Sequence, residues 1–309
     1  MRLGIGLLAL GGALVAAYPL SMGPVEIVEP VSSDLLQDIY TFAAFTRAAY
    51  CAANHDGTIG NLVCSNNANA GACDVFAGAT TIVELTDSAE VAGNVVVSHA
   101  RRLVVVSFRG SHRWSDVWRN IQVLRVDAPA LCADCSVHRG YWNVFLNIRD
   151  RLAGALLGEG RLAGPGYRVV LTGHSMGGAL AAISAAYLRS RGRSCDLFTY
   201  GAPHVGNQAL ADLIGGPGGV TAHVVNGEDP IASQPPRSIG YASVVPEYWF
   251  EAGIEKPAFP DNLRVCDGVN KKSDECSAKV GGWLPVFTGG LSDHSIDAYS
   301  NRSMPCPGE

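Results

Sequence analysis

The segment Gly173-His174-Ser175-Met176-Gly177 sets one hydroxyl between two glycines, after the apolar run Tyr167 to Thr172 and ahead of the small-residue run Gly178 to Ala182. Strand, tight turn and helix in that order make a nucleophile elbow: the glycines let strand and helix approach, while the serine sits on a strained turn with its Oγ presented to a substrate carbonyl. A G-x-S-x-G without that setting is weak, and the plain alternative is a Gly-rich turn with an incidental serine. A serine hydroxyl is a poor nucleophile until a base takes its proton, and the base needs a carboxylate to orient it. On this kind of scaffold the three follow in the order Ser, acid, His.

Eight histidines are available: His55, His99, His112, His138, His174, His204, His223 and His294. Only the last two lie beyond the elbow with room for an acid between. His223 falls inside an apparent strand, so His294, in the loop Gly290 to His294, is the expected base. The run His223 to Asn226 leads through Gly227-Glu228 to Asp229, which precedes Pro230. An Asp before Pro starts a turn, here at the end of a strand where such sites are built, so Asp229 is the expected acid. Glu228 is its nearest rival. Asp261, Asp267 and Asp293 read as loop charges and turn formers.

The elements that must hold these groups follow from periodicity. Asp34 to about Ala49 reads as an amphipathic helix, with Ser32, Ser33 and Asp34 as capping groups and Leu35, Leu36, Ile39, Phe42 and Ala43 on one face. Short apolar runs at Val95 to Val97, Leu103 to Phe108, Val169 to Thr172, Leu197 to Tyr200 and His223 to Asn226 read as strands, with helices among the later ones. Near-continuous Val and Leu mark strands covered on both faces. The expected fold is therefore α/β, a central and mostly parallel sheet flanked by helices, in one domain over 32–309. Gly215 to Gly219 reads as a surface turn within it.

With 309 residues, 48% hydrophobic and 17% charged, the chain can bury a large core. A net charge of −5 and a pI near 5.9 exclude nucleic acid as an expected partner, since phosphate binding needs clustered Lys and Arg. Arg2, the apolar run Leu3 to Val15 and then Ala16-Ala17 have the layout of a secretory signal peptide over 1–17. The run is too short to span a bilayer, and Pro19 closes it. Residues 18–31 read as an N-terminal extension, and no transmembrane segment is expected.

Nine cysteines fit an exported chain. Cys64 with Cys73, Cys132 with Cys135 and Cys266 with Cys276 can each close a short loop, and Cys51 with Cys306 would tie the ends of the domain together. No second Cys or His pair stands at zinc-ligand spacing from Cys132, so no metal is expected. Cys195 is left over and reads as a buried thiol. Asn301-Arg302-Ser303 is a glycosylation acceptor.

From Leu35 to Cys306 the chain resembles the secreted fungal class 3 lipases, a family that also contains feruloyl esterases. The pieces that carry the resemblance are Ser107-Phe108-Arg109-Gly110-Ser111, Gly173 to Gly178, Thr199-Tyr200-Gly201-Ala202-Pro203 with Val205-Gly206-Asn207, and Pro235-Pro236 followed by Gly240-Tyr241 and Glu247-Tyr248-Trp249. The resemblance implies an α/β-hydrolase fold with a helical lid, and a triad of Ser175, Asp229 and His294. It also implies an oxyanion hole from Ser111 and the backbone N–H of Met176, and it calls for no cofactor. Trp114, Val117, Trp118 and Ile121 share one helical face; on general grounds that face is core, but in this family the segment corresponds to the lid that meets the lipid–water interface. Its apolar character favours a secreted lipase acting on acylglycerol esters over a feruloyl esterase. A catalytically inactive hydrolase used as a binding protein is the reading from another class. Two positions depart from the family pattern: Ser243 stands where a His is usual, and Asp297 where an aromatic is usual.

Overall fold

The Val- and Leu-rich runs form the middle of an eight-stranded sheet in the computed structural model. Its contacts divide the chain into two units, Met1–Val31 and Ser32–Glu309. The described residues are 31–309 except 58, 61–62, 65–72, 77, 87–91, 112–122, 159–163, 165, 255–261, 268–275, 278–291, 301–305 and 307–309. All elements below belong to the second unit.

The strands are β1 (Thr80–Glu84), β2 (Gly93–Ser98), β3 (Leu103–Phe108), β6 (Arg168–His174), β7 (Asp196–Tyr200), β8 (Thr221–Asn226), β9 (Glu247–Phe250) and β10 (Leu263–Cys266), adjacent in that order. The run from β3 through β9 pairs in parallel, whereas β1 with β2, β2 with β3 and β9 with β10 pair antiparallel. Every residue of β2, β3 and β8 is buried, as expected of strands covered on both faces. A separate ribbon pairs β4 (Arg125–Asp127) with β5 (Ser136–His138). The ribbon, β1, β9 and β10 go beyond the apolar runs of the sequence, because each is three to five residues long and mixes polar with apolar side chains.

Helix α1 (Ser33–Ala48) starts and ends one residue earlier than periodicity suggested, and Ser32 Oγ caps it by accepting from Leu35 N at 3.2 Å. It lays Ile39, Phe42 and Phe45 against the parallel strands. On the core side α2 (Arg139–Leu156) packs against α3 (Met176–Arg189), which also touches β3, β6 and β7. All fourteen residues of α3 are buried, which its Ala- and Gly-rich sequence permits. Helix α4 (Gln208–Gly215) runs into the expected Gly turn, and α5 (Ile296–Tyr299) follows the loop of His294.

The amino edge of the parallel strands is held by charge. Arg168, opening β6, bonds Asp38 of α1 at 2.7 Å and Asp196 of β7 at 2.6 Å. Buried Arg189, ending α3, donates to Thr221 Oγ1 at 2.9 Å and to the carbonyls of Cys195, at 2.7 Å, and Ile214. Cys51–Cys306, Cys64–Cys73, Cys132–Cys135 and Cys266–Cys276 are disulfides, and Cys195 is free and buried. No helix among the described residues is long and apolar enough to cross a membrane.

Candidate active site

Three parallel strands, β3, β6 and β8, end at the same edge of the sheet and are followed by Ser111, Ser175 and Asp229, while His294 comes from the loop before α5. Ser175 follows β6 with φ +56° and ψ −127°, a conformation that side chains rarely adopt. The glycines around it make the turn possible. A Cβ on Gly173 would meet the backbone of Gly177, and one on Gly177 would meet the carbonyls of Phe108 and Arg109. The serine is thereby pushed out of both strand and helix, with the N–H of Met176 at the start of α3, where helix donors lack intrahelical partners.

His294 Nε2 lies 2.9 Å from Ser175 Oγ, and His294 Nδ1 lies 2.8 Å and 3.0 Å from the two carboxylate oxygens of Asp229. An acid beside Nδ1 places the ring hydrogen there, which leaves the Nε2 lone pair facing the hydroxyl. Ser175, Asp229 and His294 are only 3%, 2% and 2% exposed, so little water competes for these bonds. Burial by itself raises the Asp229 pKa, but the neighbouring His294 charge and the hydrogen bonds from His294, Tyr299 and Ile231 N outweigh it and hold the carboxyl below its usual range. The arrangement can strip a proton from a serine hydroxyl and hold the resulting imidazolium.

The rival groups are placed elsewhere. Glu228 is exposed, and its N–H donates to Asp293 at 2.9 Å, so Asp293 serves the turn that holds Asp229. Asp267 is exposed on the loop after β10, and Asp261 lies outside the described residues. His223 lies within β8, bonded to Thr199 Oγ1 at 2.9 Å, and burial pushes its pKa down to about 4.

Ser111 lies after β3, half buried, with its Oγ donating to Met176 Sδ at 3.5 Å, so the two expected oxyanion residues touch. Trp114, Val117, Trp118, Ile121 and Asn301 lie outside the described residues, as do the signal-like segment 1–17 and all of the extension but Val31. Glu247 comes close to Cys266 and Cys276, but those sulfurs are joined in a disulfide, so no thiolate remains there to ligate a metal.

Sequence reasoning missed Tyr299. Its hydroxyl donates to Asp229 Oδ2 at 2.6 Å and accepts from Asn226 N at 3.0 Å, while burial and the adjacent carboxylate raise its pKa far above the ordinary value. The departure at Asp297 is explained by the same helical turn. Asp297 points outward and pairs with Arg47 at 3.0 Å, and the aromatic two residues later reaches the carboxylate. The departure at Ser243 is filled too. Burial pushes the His204 pKa down to about 4, and its ring donates from Nδ1 to the Pro235 carbonyl at 2.7 Å and accepts from Ser243 Oγ at 2.9 Å. Gly201 completes the close packing: its φ is +55°, and a Cβ there would strike the Asp229 carboxylate.

Residues 105–239 match the family model described as lipase (class 3). The chain is 33% identical over 240 residues to secreted mono- and diacylglycerol lipase 1 of Fusarium solani, covering 75% of this chain and 70% of that protein. It is 30% identical over 261 residues to secreted mono- and diacylglycerol lipase A of Penicillium camembertii, covering 84% and 83%. A crystal structure of the mono- and diacylglycerol lipase from Aspergillus oryzae superposes with a TM-score of 0.72 at 28% identity, covering 88% of this chain and 99% of that one.

Proposed function

The chain belongs to the class 3 lipases, and from that premise we propose that it cleaves mono- and diacylglycerol esters through a Ser175, His294 and Asp229 acyl-enzyme route. It is a secreted lipase, and so a carboxylic ester hydrolase. The observation that carries the mechanism is the unbroken line of hydrogen bonds from Ser175 Oγ through His294 to Asp229, at 2.9 Å and 2.8 Å.

In the first half-reaction His294 Nε2 takes the Ser175 proton as Oγ bonds to the ester carbonyl carbon. Asp229 holds the ring and stabilises the imidazolium that forms. The tetrahedral oxyanion sits between Ser111 and the N–H of Met176, donors of a kind each typically worth about 10²–10³ in rate. The C–O bond then breaks, His294 protonates the departing glycerol alcohol, and the acyl group stays on Ser175. Water, deprotonated by the same imidazole, repeats the sequence and releases the fatty acid. No step calls for a metal or organic cofactor. The segment bearing Trp114, Val117, Trp118 and Ile121 is read, on its sequence alone, as the lid that meets the lipid–water interface, and residues 1–17 as the export signal.

Initial rates on emulsions of mono-, di- and triacylglycerol and on a soluble feruloyl ester test the substrate claim. The expected order puts the partial glycerides first. Faster turnover of the feruloyl ester would overturn the lipase reading, and turnover of none would revive that of an inactive binding protein.

A further inference from the structure

The histidine of the serine pentapeptide takes no part in the steps above. His174 closes β6, is sealed from solvent, and has both ring nitrogens engaged. Nε2 lies 2.7 Å from the backbone carbonyl oxygen of His294, and Nδ1 lies 2.6 Å from the hydroxyl of Tyr50. A carbonyl can only accept, so Nε2 carries the hydrogen, and Nδ1 must accept from the tyrosine. The Tyr50 oxygen in turn accepts from Gly110 N at 3.0 Å. Donor arithmetic thus fixes every direction along a chain that begins at Gly110 and ends on the backbone of His294.

Both ends of that chain matter. One is the residue that carries the base, and the other immediately precedes Ser111. Gly110 is also pressed against the centre, since a Cβ on it would come within 2.6 Å of Tyr50 Oη and 3.0 Å of Ser175 Cβ. We propose that His174 and Tyr50 are positioning residues that set His294 and the Gly110–Ser111 loop in one register around Ser175, so that base and oxyanion donor are aligned together. The inference rests on the triad reading above.

The electrostatics suit the role. The two imidazoles face each other with centroids 4.7 Å apart, so a cationic His174 would oppose the charge that develops on His294. Burial, reinforced by His294, pushes the His174 pKa down to about 3, and burial raises that of Tyr50. The relay therefore keeps one protonation state through the neutral range.

The test compares Tyr50→Phe, His174→Gln and His174→Asn with the parent and Ser175→Ala on a soluble p-nitrophenyl ester, with melting temperatures alongside. Tyr50→Phe removes one oxygen and with it both of its bonds in the relay; kcat is expected to fall about 10- to 100-fold, as misplacement of reacting groups typically costs, with KM little changed. His174→Gln keeps an N–H able to reach the His294 carbonyl, whereas His174→Asn keeps only an acceptor for Tyr50, so Gln is expected to retain more kcat than Asn. A parent kcat in Tyr50→Phe, whatever its melting temperature, overturns the proposal, as does a loss expressed wholly in KM. Tyr50→Phe decides alone if the His174 variants do not fold. Activity surviving in Ser175→Ala would instead overturn the triad reading, which separates the two failures.

Discussion

The two ends of the same parallel strands carry polar clusters of opposite character. At the amino edge Arg168 joins Asp38 and Asp196 across α1, β6 and β7, in ion pairs whose Arg side chain is 39% exposed. At the carboxyl edge Ser175, His294, Asp229 and Tyr299 are bonded in a buried line, and Ser175 and Gly201 hold positive φ. The first is an ordinary stabilising network, screened by water. The second concentrates buried polar groups and backbone strain where a ligand must approach, which the fold tolerates because each group is satisfied by its neighbour. Loss of a reacting group at the carboxyl edge should therefore cost rate, loss of a supporting hydrogen bond there should cost pH-dependent stability, and changes at the amino edge should cost stability alone.

The sharpest contrast comes from Asp229→Asn. An amide at this position favours the wrong imidazole tautomer, and kcat is expected to drop about 10⁴-fold, measured on a soluble ester, while the circular dichroism spectrum stays that of the parent. Retention of rate would dissolve the distinction between the two edges.

Tyr299→Phe should act more mildly and reveal itself in pH dependence. Because the Asp229 pKa is depressed in the fold, its ionisation contributes stability that is fully present above the unfolded pKa and lost as pH falls through the folded one. Removing the Tyr299 donor reduces that depression. The melting temperature of the variant should fall below that of the parent at neutral pH, and the gap should close on acidification past the usual carboxylate range. A gap that widens with acid would contradict the bond described here.

The smallest effect is expected at the amino edge. Arg168→Gln breaks both ion pairs, and with the side chain partly exposed the loss is about 1 kcal/mol, read by denaturant unfolding, with kcat unchanged. A fall in kcat would show that the two edges are coupled through β6.

The parts of this picture legible in sequence are those that local pattern determines. The elbow around Ser175, the buried runs of β3 and β8, the capped α1 and the order of Ser, Asp and His each follow from spacing and residue type. Asp229 and Glu228 are adjacent, and only the turn that ties Glu228 N to Asp293 separates the inward carboxylate from the exposed one. Tyr299 was hidden because one turn of helix decides whether residue 297 or 299 points inward. The Tyr50–His174 bond spans 124 residues and joins side chains in segments that each look complete without it. Short mixed strands such as β9 and β10 form because neighbouring strands pair with them, and no local periodicity announces that.

Reaction with a serine-directed organophosphonate, followed by mass spectrometry of the labelled peptide, tests the central claim most directly. One phosphonyl group per chain on Ser175, with loss of ester hydrolysis in step with labelling and no labelling of Ser175→Ala, is the result expected. A label on another serine, or full activity with Ser175 modified, would contradict it.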